Sequence, residues 1–173
     1  MNRLVRVADR DRSSTAWALV RTTLGELTGL APSRLRFDRT CSLCGDAHHG
    51  KPRLLDAPVE FSVAHSADRV VVAVSEAAPV GVDVEPIDVP LADVADSFLH
   101  PHELGVPPAD LVRLWVRKEA VVKATGQGLI RPLREISVLS APAGMLLVNL
   151  PDEGGYVAAV AAVTNHSLTV TVE

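Results

Sequence analysis

At 173 residues the chain has the length of one domain with room for a substantial core. Its residues are 47% hydrophobic but only 3% aromatic, so Val, Leu, Ala and Ile must fill that core, and the net charge of -4 speaks against a nucleic-acid footprint across the whole surface while leaving room for a local basic pocket. No apolar run approaches the ~20 residues of a membrane span, Met1 to Arg6 leads into the charged stretch Asp9-Arg10-Asp11-Arg12 rather than an apolar signal core, and two cysteines make no disulfide framework; a cytoplasmic protein is expected.

In chain order, weak alternation over residues 3–8 predicts a first strand. Ser13-Ser14-Thr15 offer caps for a helix over 13–29, whose apolar positions Trp17, Val20, Leu24 and Leu27 recur at helical spacing. Gly29 and Pro32 close it. Residues 35–37 make a short strand candidate, and 38–58 a long loop carrying the cysteines, two histidines and Gly50-Lys51-Pro52. Alternation over 59–63 predicts a strand, and the unbroken apolar run 70–74 a buried one. Ala77-Ala78-Pro79 then turns the chain into the strand carrying Asp83. Residues 89–94 begin an amphipathic segment punctuated afterwards by Pro101, Pro107 and Pro108. Asp110 is the expected N-cap of a helix reaching about Thr125, with Gly126 beyond its last turn. Residues 136–138, 145–150, 156–163 and 167–172 read as four strands. Helix 13–29, strand 35–37 and strand 70–74 find counterparts in helix 110–125, strand 136–138 and strand 156–163, a faint duplication. The expected class is α+β.

Two acidic clusters carry the chemistry. In Gly81-Val82-Asp83-Val84-Glu85 the carboxylates stand two apart on a strand, so both leave the same face. In the run from Trp115 to Leu129, Trp115, Glu119 and Lys123 recur every four residues and share one helical stripe. Each has a plain alternative: Asp-x-Glu at a solvated strand edge, an i,i+4 ion pair worth a few tenths of a kcal/mol, and a tryptophan that is simply core. Together, three carboxylates and a lysine on a stiff frame are what a magnesium site for diphosphate chemistry requires. Separately, Cys41-Ser42-Leu43-Cys44 with His48 and His49 has partial zinc spacing. A fourth ligand would come from either histidine or elsewhere, and the alternative is a pair of reduced loop thiols. His100 and His102 are assigned no chemistry.

These clusters, preceded in order by Gly50-Lys51-Pro52 and by Phe61-Ser62-Val63-Ala64-His65-Ser66, resemble the motifs of the 4'-phosphopantetheinyl transferases, in particular the two-halved Sfp-type members. The match covers roughly residues 50 to 129. The resemblance implies a pseudo-twofold duplicated fold, each half a helix packed on a small, mainly antiparallel sheet, with residues 1–78 and 79–173 as the halves and coenzyme A between them. It implies transfer of 4'-phosphopantetheine from coenzyme A to a serine of an apo acyl or peptidyl carrier protein, releasing adenosine 3',5'-bisphosphate. Asp83, Glu85 and Glu119 would hold Mg2+, Glu119 would serve as general base directly or through a water, and Lys123 would steady phosphate charge. His65 matches the histidine that contacts the diphosphate, Lys51 and Pro52 the segment bordering the adenine, and Arg12 is assigned to the 3'-phosphate. Ala64 replaces the serine common in its motif, and the N-terminal half is expected to be shorter than in Sfp-type members. A monomer acting on carrier domains, with neither nucleic acid nor membrane as partner, completes the expectation. Two rivals stand beside it: a non-catalytic coenzyme A or carrier-binding module derived from this family, and a small zinc-loop interaction protein.

Overall fold

The structure, a computed structural model, describes residues 7–42, 44–128 and 131–173, and for residues 7–12 the backbone alone. Two helix-on-sheet layers build it. In the first, α1 (Val7–Thr28) lies against the hairpin of β3 (Glu60–Ser66) and β4 (Arg69–Ser75), paired antiparallel from Glu60↔Ser75 to Ser66↔Arg69. Val20 and Leu24 on α1 are fully buried against Phe61 and Val59. Trp17, Phe37 and Phe61 meet edge to face with ring centroids 5.1 to 6.5 Å apart, so three of the few aromatic rings are concentrated in one cluster. The short pair β1 (Phe37–Asp38) and β2 (Arg53–Leu54) flanks this layer.

In the second layer α3 (Leu111–Thr125) packs on a three-stranded antiparallel sheet ordered β5 (Val80–Pro86), β7 (Tyr156–Val163), β6 (Met145–Asn149). Small residues bring helix and sheet close: Ala120, Ala159 and Ala161 have no exposed surface. Gly81 is the tightest point. A Cβ there would stand 2.1 Å from the Ala120 carbonyl oxygen and 2.3 Å from the Ala124 nitrogen, so no other residue permits this helix–strand approach. A short helix, α2 (Ala95–Phe98), places Phe98 against Trp115 at 5.3 Å, so Trp115 anchors α3 rather than facing the carboxylates.

A seam of side chains joins the layers. The Val82 N–H donates to Ser62 Oγ at 3.1 Å, and the Ser66 hydroxyl donates to Glu85. Both contacts advance in the same direction, so β3 and β5 run parallel. Lys51 completes the join, its ammonium reaching Glu60 Oε2 at 3.3 Å, the Val80 carbonyl at 3.0 Å and the Ala124 carbonyl near the end of α3 at 3.4 Å.

Several expectations are corrected. Val7 and Ala8 are helical, not strand, while residues 1–6 lie outside the described residues. Because α1 starts at Val7, Ser13-Ser14-Thr15 sit inside it and cap nothing, and Leu27 is largely exposed. The first short strand begins at Phe37, and the long loop contains β2. Asp110 occupies the N-cap position but makes no side-chain cap bond; it ends the turn Pro108–Asp110, and the Pro108 carbonyl accepts from the Leu111 N–H instead. Gly126 does terminate α3 in the left-handed conformation, with φ 69°. Residues 136–138 form no strand. Their backbone is satisfied by a buried ion pair, with the Val138 N–H donating to Glu103 Oε1 at 2.7 Å and the Leu133 and Ile136 carbonyls accepting from Lys118. Residues 167–172 form none either: their β-branched side chains are mostly exposed, and among the described residues no strand pairs with them to reward the propensity. The counterparts to strand 35–37 thereby disappear, while the helix-on-sheet organisation of each layer remains.

Candidate active site

Alternation along β5 separates its side chains by face. Val82 and Val84 enter a small core with Ala64, Val71 and Ala158, whereas Gly81, Asp83 and Glu85 turn toward α3. Gly81 lets the helix close in, and its neighbour Asp83 meets Lys123 at 2.6 Å. One Asp83 oxygen is thus paired. The other, Oδ2, is the buried side-chain polar atom left without a hydrogen-bond partner among the described residues. Such an atom is costly unless something else arrives to satisfy it.

The electrostatics say what that something is. Burial raises Asp83 from 3.8 to about 6; Lys123 pulls it back, and the negative charges of Glu119 and Glu85 push it up again. Glu119 is likewise raised by burial, opposed by Lys123 and reinforced by Glu85. The three carboxylates therefore feel one another across a partly buried space, and one lysine undercompensates them. Their oxygens do not gather as tightly as the sulfur and imidazole atoms of Cys41, Cys44 and His49, which all lie within 4.8 Å of one another. In this arrangement Lys123 holds Asp83 and Ser66 holds Glu85.

Beside this cluster opens a cavity of about 580 Å³ between the two layers. Lys51, Pro52, His65, Glu119 and Lys123 line it, so five of the predicted residues share one wall system. Asp83 and Glu85 are not among the lining residues; Asp83 sits behind Lys123. Lys51 contributes its stem, because its ammonium is occupied in the frame, and burial lowers its pKa against the opposing pull of Glu60. Arg12 lies on α1, but its side chain falls outside the described residues. Arg21, on the same helix, is tied to the Pro32 and Leu35 carbonyls and stacks over Phe37 at 5.0 Å. Leu43 and Leu129 also fall outside the described residues. Arg39, Trp17 and Gln127 line the cavity without having been singled out. Gln127 was visible inside the glycine-flanked end of the helix motif, whereas nothing local distinguished Arg39 from any other loop arginine.

Comparison with known proteins gives the site a context. The model of the 4'-phosphopantetheinyl transferase superfamily matches residues 79–171. A protein of Bacillus subtilis named 4'-phosphopantetheinyl transferase is 30% identical over 153 residues, covering 83% of this chain and 65% of its own length. The 4'-phosphopantetheinyl transferase psf-1 of Bacillus pumilus is 31% identical over 153 residues, covering 83% and 62% respectively. The 4'-phosphopantetheinyl transferase HetI of Nostoc sp. is 30% identical over 184 residues, covering 92% of this chain and 74% of its own. The chain spans somewhat less than two thirds of the first two relatives. No helix among the described residues is long and apolar enough to cross a membrane.

Proposed function

The chain belongs to the 4'-phosphopantetheinyl transferase superfamily, and from that premise we propose that it moves 4'-phosphopantetheine from coenzyme A to a serine of an apo acyl or peptidyl carrier protein. The observation that carries this reading is the buried oxygen of Asp83 left without a partner among the described residues, near Glu85 and Glu119 and behind Lys123, which with Glu119 lines a cavity large enough for a nucleotide. Residues 1–78 and 79–173 act as two halves in a pseudo-twofold arrangement, with coenzyme A in the cavity between their helices.

An all-oxygen donor set held at unfavourable negative charge fits a hard divalent ion such as Mg2+. Asp83, Glu85 and Glu119 would hold it, and it supplies neutralisation of charge on the diphosphate when bound. The chain's own residues do the rest. Glu119, raised by burial and lining the cavity, accepts the proton of the incoming serine hydroxyl, directly or through a water. The serine oxygen forms a bond to the phosphorus of the phosphopantetheine phosphate. The bond from that phosphorus to the bridging oxygen breaks, and the electron pair leaves with adenosine 3',5'-bisphosphate. Lys123 turns from Asp83 to the departing phosphate, and His65 at the cavity wall hydrogen-bonds the diphosphate. Pro52 and the stem of Lys51 border the adenine. Arg12 is assigned to the 3'-phosphate.

Mass spectrometry of a panel of apo carrier proteins, incubated with the protein, coenzyme A and Mg2+, tests the reading. A gain of one phosphopantetheine, lost in Glu119→Gln and on chelation, is expected. Coenzyme A binding without any carrier gaining mass would instead mark a non-catalytic binding module. The same experiment on a lysate containing candidate synthases identifies the carrier class.

A further inference from the structure

We propose that Cys41, Cys44 and His49 form a zinc site that rigidifies the loop leading into Gly50-Lys51-Pro52 at the cavity wall. Three ligand atoms of the right chemistry lie within 4.8 Å of one another, and Cys44 Sγ stands 3.1 Å from His49 Nε2. In a tetrahedral site with Zn–S near 2.3 Å and Zn–N near 2.0 Å, neighbouring ligand atoms are separated by about 3.5–3.8 Å. The observed group needs adjustments of about an ångström or less to reach that geometry. The two cysteines are not joined by a disulfide.

The backbone is already shaped for such a site. The Cys41 N–H donates to the Asp46 carbonyl at 2.7 Å and the Gly45 N–H to the Cys41 carbonyl at 2.9 Å, closing a tight turn between the two sulfurs. Gly45 adopts φ 75°, a left-handed conformation that lets the chain reverse just after Cys44. The Gly50 N–H donates to the Arg39 carbonyl at 2.8 Å. A Cβ on Gly50 would stand 2.6 Å from that same oxygen, so the loop's two ends cross in close contact. The loop is therefore pinned at its base by hydrogen bonds and presents two thiols and an imidazole at its head. Cys41 is buried, whereas Cys44 and His49 are exposed.

The location gives the zinc site a consequence. Cys41 and His49 line the same cavity as Lys51 and Pro52. A metal bound to them would fix the part of the cavity lining that runs on into Lys51, whose ammonium reaches the Ala124 carbonyl at the end of α3, and its ligands are none of the three carboxylates. The zinc site itself does not depend on the transfer reaction proposed above.

The test is metal content and colour, not turnover. Protein purified under reducing conditions is expected to carry one zinc per chain by elemental analysis. After chelation, Co2+ titration should produce thiolate-to-cobalt absorption in the near ultraviolet together with the visible bands of a tetrahedral site. Cys44→Ser and His49→Ala, both at exposed positions and so compatible with folding, should each lose stoichiometric binding, whereas Asp83→Asn should retain it. Wild-type protein showing neither zinc nor cobalt bands would overturn the proposal. So would bands that survive both loop substitutions, or zinc that disappears only with Asp83→Asn. A metal-loaded protein that transfers nothing to carriers leaves the zinc site standing and refutes the transfer reading alone.

Discussion

Replacing Asp83 with Asn separates what the buried carboxylate does for the fold from what it does for function. Asn is nearly isosteric with the protonated acid and keeps an oxygen for Lys123, so the substitution removes only the ability to ionise. In the folded protein Asp83 titrates at about 6 rather than 3.8, chiefly because of burial. Its folded value is raised, so the stabilisation it confers is complete below the unfolded value and is lost as pH climbs to the folded one. Across that whole window the loss is about 3 kcal/mol. Between about pH 4.5 and about pH 8 it comes to roughly 2 kcal/mol, which for a chain of this size is on the order of 4–8 °C in Tm. Asp83→Asn escapes this loss. Urea denaturation in the presence of a chelator, at both pH values, is expected to show the variant more stable than wild type at the higher pH, with the advantage shrinking toward the lower. Transfer to a carrier should meanwhile fall by orders of magnitude. An equal stability difference at both pH values, or a variant less stable at the higher one, would refute the claim that Asp83 is held at an electrostatic disadvantage.

Other perturbations probe the frame. Gly81→Ala would drive a methyl group to within 2.1 Å of the Ala120 carbonyl oxygen; a loss of about 3 kcal/mol or more is expected in denaturant titration, accompanied by loss of transfer. Lys118, fully buried and 2.7 Å from Glu103, is the partner of a charge that cannot reach water. Lys118→Met should therefore cost about 3–5 kcal/mol, measured by the same denaturation, and replacing Glu103 as well should recover part of it. The transfer rate is expected to rise with pH as Glu119 loses its proton, at a value above 4.5; Glu119→Gln should remove that limb of the profile and leave the unfolding free energy within about 1 kcal/mol of wild type.

The elements legible in the sequence were those whose periodicity matched their burial. The extent of α3 to Thr125 with Gly126 beyond it, and the placing of Asp83 and Glu85 on one face of β5, agree with the expectation because the chain ends that helix and alternates that strand as local sequence dictates. Residues 136–138 have the composition of a strand, but Lys118 and Glu103 bind their backbone from 18 and 35 residues away, an arrangement that no local pattern announces. The stretch 167–172, rich in Thr and Val, departs from expectation for the opposite reason: the propensity is present, and no strand among the described residues pairs with it. In the site, spacing placed Asp83 and Glu85 on one face and Glu119 and Lys123 on one stripe. The distance between those faces was set by Gly81 and three alanines, whose significance emerges only from packing. Lys51 shows the limit most clearly, since a lysine beside a cavity and a lysine bridging two carbonyls and a carboxylate look identical in a sequence.

Between β3 and β5 the strands run side by side, yet they belong to different sheets, and the hydrogen bonds described across them involve the side chains of Ser62, Ser66 and Lys51, over the apolar contact of Ala64 with Val82 and Val84. Side chains can swivel while holding a partner, whereas an amide ladder must keep its register or break. A joint of this kind tolerates small changes in the angle between the layers without unzipping either sheet. The gap between α1 and α3 is thus bounded by a joint in which polar side chains, rather than an amide ladder, set the register between the layers.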